Sequence, residues 1–155
     1  MTPEQAMPRD EAVNVLSTLI HVSEDGRKGF TEAADKVDDA NLKVLLSERA
    51  QECGNAVREL TQCVRTLGGQ APEGGTVTGA LHRGWVKMRA SVTDARLAVL
   101  EEAERGEDYA KAAYAKAVKS ALPPEARTLV ERQQQGVLRN HDRIRDLRDR
   151  HRAAA

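Results

Sequence analysis

Four polar side chains near the predicted core could support chemistry: Glu104, Glu107, Asn140 and His141. Carboxylates and imidazoles together bind iron and other divalent metals, and a buried carboxylate can act as an acid or base with a raised pKa. Glu107 lies in the middle of an apolar stripe, where an unpaired carboxylate would be costly. We favour a polar layer, in which Asn140, His141, Gln133 or an arginine donates hydrogen bonds to Glu107, because buried polar groups normally have partners.

Two other sets of residues carry weaker chemical signals. Cys53 and Cys63 are ten residues apart, which on one helix is about 15 Å along the axis and too far for a disulfide between them. We predict two buried thiols, with an intermolecular disulfide or a redox role as the alternative. Leu81, Trp85 and Met88 share helical spacing, which favours core packing over a ligand platform.

Apolar residues that recur every three or four positions predict four long helices to position these side chains. The stripes cover about residues 10–37, 42–67, 97–121 and 126–147. Short turns join the first helix to the second and the third to the fourth, which makes each pair antiparallel. The long connection between the two pairs predicts a crossover that carries a short extra helix around residues 79–92.

An internal repeat supports the same architecture. At a constant offset of 84 positions, Phe30 matches Tyr114 and Leu60 matches Ile144, with apolar positions aligned along most of the overlap. Such an echo is typical of a duplicated helix-turn-helix. The sequence therefore predicts an all-α four-helix bundle of two helical hairpins. We expect a single domain over residues 10–150, a flexible N-terminus at 1–9 and a frayed tail at 151–155.

Composition and charge limit the classes of binding partner that the sequence predicts. The chain has 24 basic and 24 acidic side chains, and only 3% of its residues are aromatic. Arginine alternates with aspartate over residues 139–152, which favours a solvated helix face with ion pairs over a nucleic-acid surface. No apolar run is long enough to span a bilayer, and the N-terminus does not resemble a secretory signal. We expect a cytoplasmic protein that binds neither nucleic acid nor membrane.

Several short motifs, in their order and spacing, resemble a family of uncharacterised bacterial ferritin-like four-helix-bundle proteins. The motifs are Leu-Gly-Gly at 67–69, GALHRGW at 79–85, EAERGED at 102–108 and Leu-Pro-Pro at 122–124. The family is catalogued as a domain of unknown function and is distantly similar to rubrerythrin and ferritin. The resemblance covers about residues 10–148. It implies the ferritin-like fold and lends no agreed activity.

The resemblance also implies where a di-iron site would lie. Ferritin-like di-iron proteins use one Glu from each of two helices and Glu-x-x-His from each of the other two. By analogy with rubrerythrin-like proteins, the six ligand positions fall at Ser23, Cys53, Ala56, Glu107, Val137 and Asn140. Five of the six hold neither a carboxylate nor an imidazole. A slip of one residue would offer Glu24, Glu52 and His141, but it rotates each side chain by about 100°.

We therefore expect no complete di-iron site, no cofactor and no metal ligand, and we assign no catalytic residue. The sequence favours a non-catalytic structural or interaction module, associated with stress by family context, that forms a homodimer or binds a protein partner. The alternative is an enzyme, or a metal-binding or iron-handling protein, with an atypical site around Glu104, Glu107 and His141.

Overall fold

The computed structural model describes residues 6–72 and 95–154, in which every regular element is an α-helix. The four helices are α1 (Arg9–Lys36), α2 (Ala40–Thr66), α3 (Ala95–Lys119) and α4 (Pro124–Ala154). The predicted all-α bundle of four long helices is confirmed. The predicted short helix of the crossover, with Leu81, Trp85 and Met88, lies outside the described residues. The predicted domain limits at 10 and 150, and the frayed tail, stay predictions.

Local sequence signals define the helix ends. The Asp39 side chain accepts a hydrogen bond of 2.9 Å from the Leu42 amide and so caps the start of α2. At its other end Gly68 has a φ of 81°, a left-handed conformation that glycine adopts without strain. Pro124 occupies the first position of α4, where its missing amide proton leaves no helical bond unmade.

The helices do not pack equally tightly. α1 packs against both α2 and α3, and α3 packs against α4, whereas α2 and α4 make the smallest contact. The seam between α2 and α4 is therefore the loosest side of the bundle. No helix in the described ranges combines the length and apolar character that a bilayer-spanning segment needs.

The core consists of two apolar clusters, one toward each end of the bundle. The first cluster contains Phe30 and Ile144, and the second contains Leu60 and Tyr114. Residues that match in the 84-residue repeat thus lie in opposite clusters. The two hairpins are related by a pseudo-two-fold operation that exchanges the ends of the bundle. The polar residues singled out from the sequence, Glu104, Glu107, Asn140 and His141, lie between the two clusters.

Candidate functional site

A cavity of about 600 Å³ lies between the two apolar clusters, and all four helices contribute to its wall. Five of the six positions at which the resemblance placed di-iron ligands line this cavity: Ser23, Cys53, Ala56, Glu107 and Val137. The fold therefore brings the predicted positions together around one space. The side chains at these five positions are one hydroxyl, one thiol, one carboxylate and two aliphatic groups.

Glu107 forms a two-point contact with Arg49, which reaches across from α2. The Nε of Arg49 donates to Oε1 of Glu107 at 2.9 Å, and Nη2 donates to Oε2 at 3.4 Å. The side chain of Arg49 is 8% exposed and that of Glu107 is 1% exposed. The guanidinium also lies over the Phe30 ring, 5.7 Å from its centroid. Arg49 is thus the cation that faces the one carboxylate among the six ligand positions.

Burial and charge act in opposite directions on this pair. Burial raises the pKa of the Glu107 carboxyl, and the Arg49 guanidinium opposes that rise. Burial alone would lower the pKa of Arg49, but the negative charges around it outweigh burial and raise its pKa. The guanidinium therefore stays protonated. It supplies the positive charge that an ionised carboxylate requires at so buried a position.

A second polar chain begins at Ser23, the α1 counterpart of Glu107 in the repeat. The Tyr114 hydroxyl donates to Oε1 of Gln133 at 2.8 Å, and Ser23 Oγ lies 3.4 Å from the same hydroxyl. The Nε2 of Gln133 then donates to Oε1 of Glu59 at 3.3 Å. Burial raises the pKa of Tyr114 to about 12, so it remains a phenol. These contacts tie α1, α3, α4 and α2 together.

Cys53 is buried against α1 at a close helix approach. A Cβ placed on Gly26 would lie 3.0 Å from the Cys53 Sγ, so a larger residue there would press on the sulfur. Burial raises the pKa of the Cys53 thiol to about 11, with Arg49 acting in the opposite direction. The group is therefore a thiol at neutral pH. Cys63 is half-buried, and both cysteines are free.

A third cluster of polar side chains lies about one helical turn from Glu107, where α3 faces α4. One ligand atom from each of Glu104, Asp108 and His141 lies within 4.8 Å of the others. Asp108 Oδ1 is 2.6 Å from Nε2 of His141. Arg148 forms an ion pair with Glu104. Carboxylate and imidazole atoms at such distances can hold a divalent cation.

Asn140 is part of neither the Arg49–Glu107 pair nor the cluster of Glu104, Asp108 and His141. Its Nδ2 donates at 3.0 Å to Oε2 of Glu52 and at 3.0 Å to the carbonyl oxygen of Gly136. Glu52 also accepts a bond of 3.4 Å from Nη1 of Arg49. Asn140 therefore links α4 to the α2 side of the buried pair. Its side chain helps to hold the loosest seam of the bundle together.

The structure divides the predicted site residues into two sets. Glu104 and His141 come together with Asp108, while Glu107 turns away from them toward Arg49. Sequence reasoning considered an unspecified arginine as a partner for Glu107 and did not consider Asp108. Glu104 and Asp108 are four positions apart and so lie on one face of the helix, and this spacing was the sequence signal for the part that Asp108 plays.

Comparisons with known proteins agree with this fold. The family model described as "Domain of unknown function (DUF2383)" matches residues 11–120. A solved two-domain protein from Anabaena variabilis, with DJ-1/ThiJ/PfpI-like and ferritin-like domains, superposes with a TM-score of 0.77 at 13% identity. The match covers 97% of this chain and 39% of that protein, so this chain spans well under half of its length. No curated protein matches this chain.

Proposed function

The chain belongs to the DUF2383 family, a domain of unknown function, and has a ferritin-like fold; we propose that it is a non-catalytic structural or interaction module without a di-iron site. The observation that carries this proposal is the Arg49–Glu107 pair. A guanidinium occupies both carboxylate oxygens at the position where a metal ion would need them. The side chain of Arg49 already supplies the positive charge that a metal ion would bring.

The other ligand positions support the same proposal. Ser23 offers a hydroxyl that lies beside Tyr114, and Cys53 offers a thiol whose pKa is raised to about 11. Ala56 and Val137 have no donor atom. Iron in ferritin-like proteins is held by carboxylate oxygens and imidazole nitrogens. The residues present therefore do not fit a di-iron centre, and no reaction step is assigned to one.

Metal analysis of the purified protein tests this proposal. The untagged chain is produced in iron-supplemented cells, and iron per chain is measured together with the absorption spectrum. We expect far less than one iron per chain and no di-iron band. Stoichiometric iron that is lost in a Glu107→Ala variant and retained in an Asp146→Ala control would overturn the proposal.

The interaction role has its own test. We propose that the module forms a homodimer or docks to a protein partner, and the resemblance extends the proposal to a stress-associated role in the bacterial cytoplasm. Sedimentation of the full chain over a wide concentration range measures self-association. A mass equal to one chain at every concentration would contradict the homodimer. Fractionation of the native cells tests the location.

A second candidate function rests on the group formed by Glu104, Asp108 and His141. Two carboxylates and one imidazole match the donor set of Zn²⁺ or Mn²⁺ sites. The competing contact is the ion pair of Glu104 with Arg148. Titration with Zn²⁺ and Mn²⁺ distinguishes the two: a metal site predicts binding that Asp108→Ala abolishes. Asp146→Ala, which removes an exposed carboxylate of α4 that pairs with Arg145, is the matched control and should retain binding.

A further inference from the structure

The cavity reaches the protein surface through the loose seam between α2 and α4. Most of its lining residues lie on these two helices, and Asn55, Arg58, Arg132 and Arg139 among them are exposed. In the wall of the cavity the seam is bridged by polar contacts, such as the ion pair of Arg132 with Glu59. A volume of about 600 Å³ lies within the usual range for small-molecule sites.

The wall of the cavity changes character with depth. Phe30, Val22, Val137 and Tyr114 are buried and present aromatic and aliphatic surface. The mouth is formed by polar and charged side chains that are exposed to solvent. Transfer of an apolar group from water into such an interior is favourable. Burial of a charged group is costly, so a charge is favoured at the solvent-exposed rim.

The charges that line the cavity do not cancel. Its wall contains four arginines and three glutamates. Arg49 pairs with Glu107, and Arg132 pairs with Glu59. Among the described residues, no carboxylate pairs with the remaining two guanidinium groups, and Arg58 donates to the neutral amide oxygen of Asn55. Within residues 6–72 and 95–154, no acceptor bonds to Arg139.

We propose that this cavity binds a small monocarboxylate with an apolar chain. Its carboxylate lies at the mouth between Arg58 and Arg139, and its chain extends inward toward Val137 and Phe30. The planar guanidinium presents paired donors that match a carboxylate. A monoanion also balances the single surplus positive charge of the wall. This inference is independent of the absence of a di-iron site, so either can fail alone.

Isothermal titration with octanoate tests the proposal on the full chain. We expect saturable binding of one octanoate per chain. Octan-1-ol, which has the same chain length without the charge, and inorganic phosphate, which has charge without a chain, should each bind at least tenfold more weakly. Absence of octanoate binding, or equal binding of either comparison compound, would overturn the proposal.

Two variants locate the binding. Arg58→Gln/Arg139→Gln should weaken octanoate affinity at least tenfold, and both side chains are exposed, so folding should be unaffected. Arg143→Gln/Arg150→Gln, which changes two exposed arginines of α4 outside the cavity wall, is the matched control and should bind like the natural protein. Equal affinity in both double variants would contradict the assigned mouth.

A steric variant tests the interior. Ala56 lines the cavity and is only half-buried, so Ala56→Phe should fill the space without breaking the core. We expect an unchanged helical circular dichroism spectrum and loss of octanoate binding. Retained binding in a folded Ala56→Phe protein would show that octanoate binds elsewhere and would overturn the proposal. The exposed arginine variants keep the test decisive if this substitution impairs folding.

Discussion

Glu107 and Asp108 are neighbours on α3, yet their carboxylates lie in two different environments. Glu107 is 1% exposed and is held at two points by Arg49. Asp108 is 59% exposed and lies beside His141 at the edge of the bundle. Successive residues of a helix point about 100° apart, so a step of one residue turns a side chain from the interior to the rim.

The contrast shows that burial, rather than charge, sets what each carboxylate requires. A buried ion that loses its partner destabilises a protein by about 3–5 kcal/mol. An exposed ion pair contributes about 0–1 kcal/mol, because water solvates each partner nearly as well. The two carboxylates should therefore respond very differently to loss of their partners, and the following predictions test that difference.

The largest expected effect follows from Arg49→Met. This change leaves Glu107 buried without a cation, so the free energy of unfolding in urea at neutral pH should fall by about 3–5 kcal/mol. Since burial raises the pKa of Glu107, protonation should relieve the charge. The loss should therefore shrink as the pH falls toward the acidic range.

Arg143→Met is the control for Arg49→Met. Arg143 is an exposed arginine on α4, and its replacement should change the free energy of unfolding by less than about 0.5 kcal/mol. Similar losses for the two variants would break the contrast between interior and rim.

A second prediction concerns the buried thiol beside the pair. Burial raises the pKa of Cys53 from 9.0 to about 11, so the folded protein retains a proton that the unfolded chain loses. The free energy of unfolding should therefore fall as the pH rises from 9 to about 11, by about 3 kcal/mol in full. Cys53→Ala should remove this fall, as measured by urea unfolding across the interval.

Two other groups provide the controls for the alkaline prediction. The pKa of Tyr114 is raised to about 12, and this phenol contributes to the natural protein and the Cys53→Ala variant alike. Cys63 is only half-buried, so Cys63→Ala should keep most of the pH dependence. An identical alkaline profile for the natural protein and Cys53→Ala would rule out the buried thiol as its source.

The smallest effect is expected at the rim. Asp108→Asn removes a charge that is 59% exposed and keeps a side chain of the same size. The free energy of unfolding should change by about 0–1 kcal/mol in chemical denaturation. A loss above about 2 kcal/mol would mean that Asp108 is as demanding as Glu107, and the contrast between them would not hold.

The architecture could be predicted from the sequence because it depends on periodicity. The apolar stripes define the four helices, and Asp39, Gly68 and Pro124 lie at helix ends, where a capping carboxylate, a left-handed glycine and an N-terminal proline act locally. The mid-stripe position of Glu107 also indicated burial. These features depend on one helix or one turn at a time.

The partners of the polar residues could not be predicted in the same way. Arg49 shares its stripe with Ala50, and an arginine can extend its charged end to water as readily as into a core. Its contact with Glu107 depends on the register of α2 against α3. The meeting of Asp108 with His141 likewise depends on the register of α3 against α4, which sequence periodicity does not specify.

A double-mutant cycle of Arg49→Met and Glu107→Leu, measured by urea unfolding in metal-free buffer, tests most directly whether a guanidinium replaces a metal as the partner of Glu107. We predict a coupling free energy of at least about 2 kcal/mol, with the double variant less destabilised than either single one. Effects that add to within about 0.5 kcal/mol would contradict the pairing of these two residues.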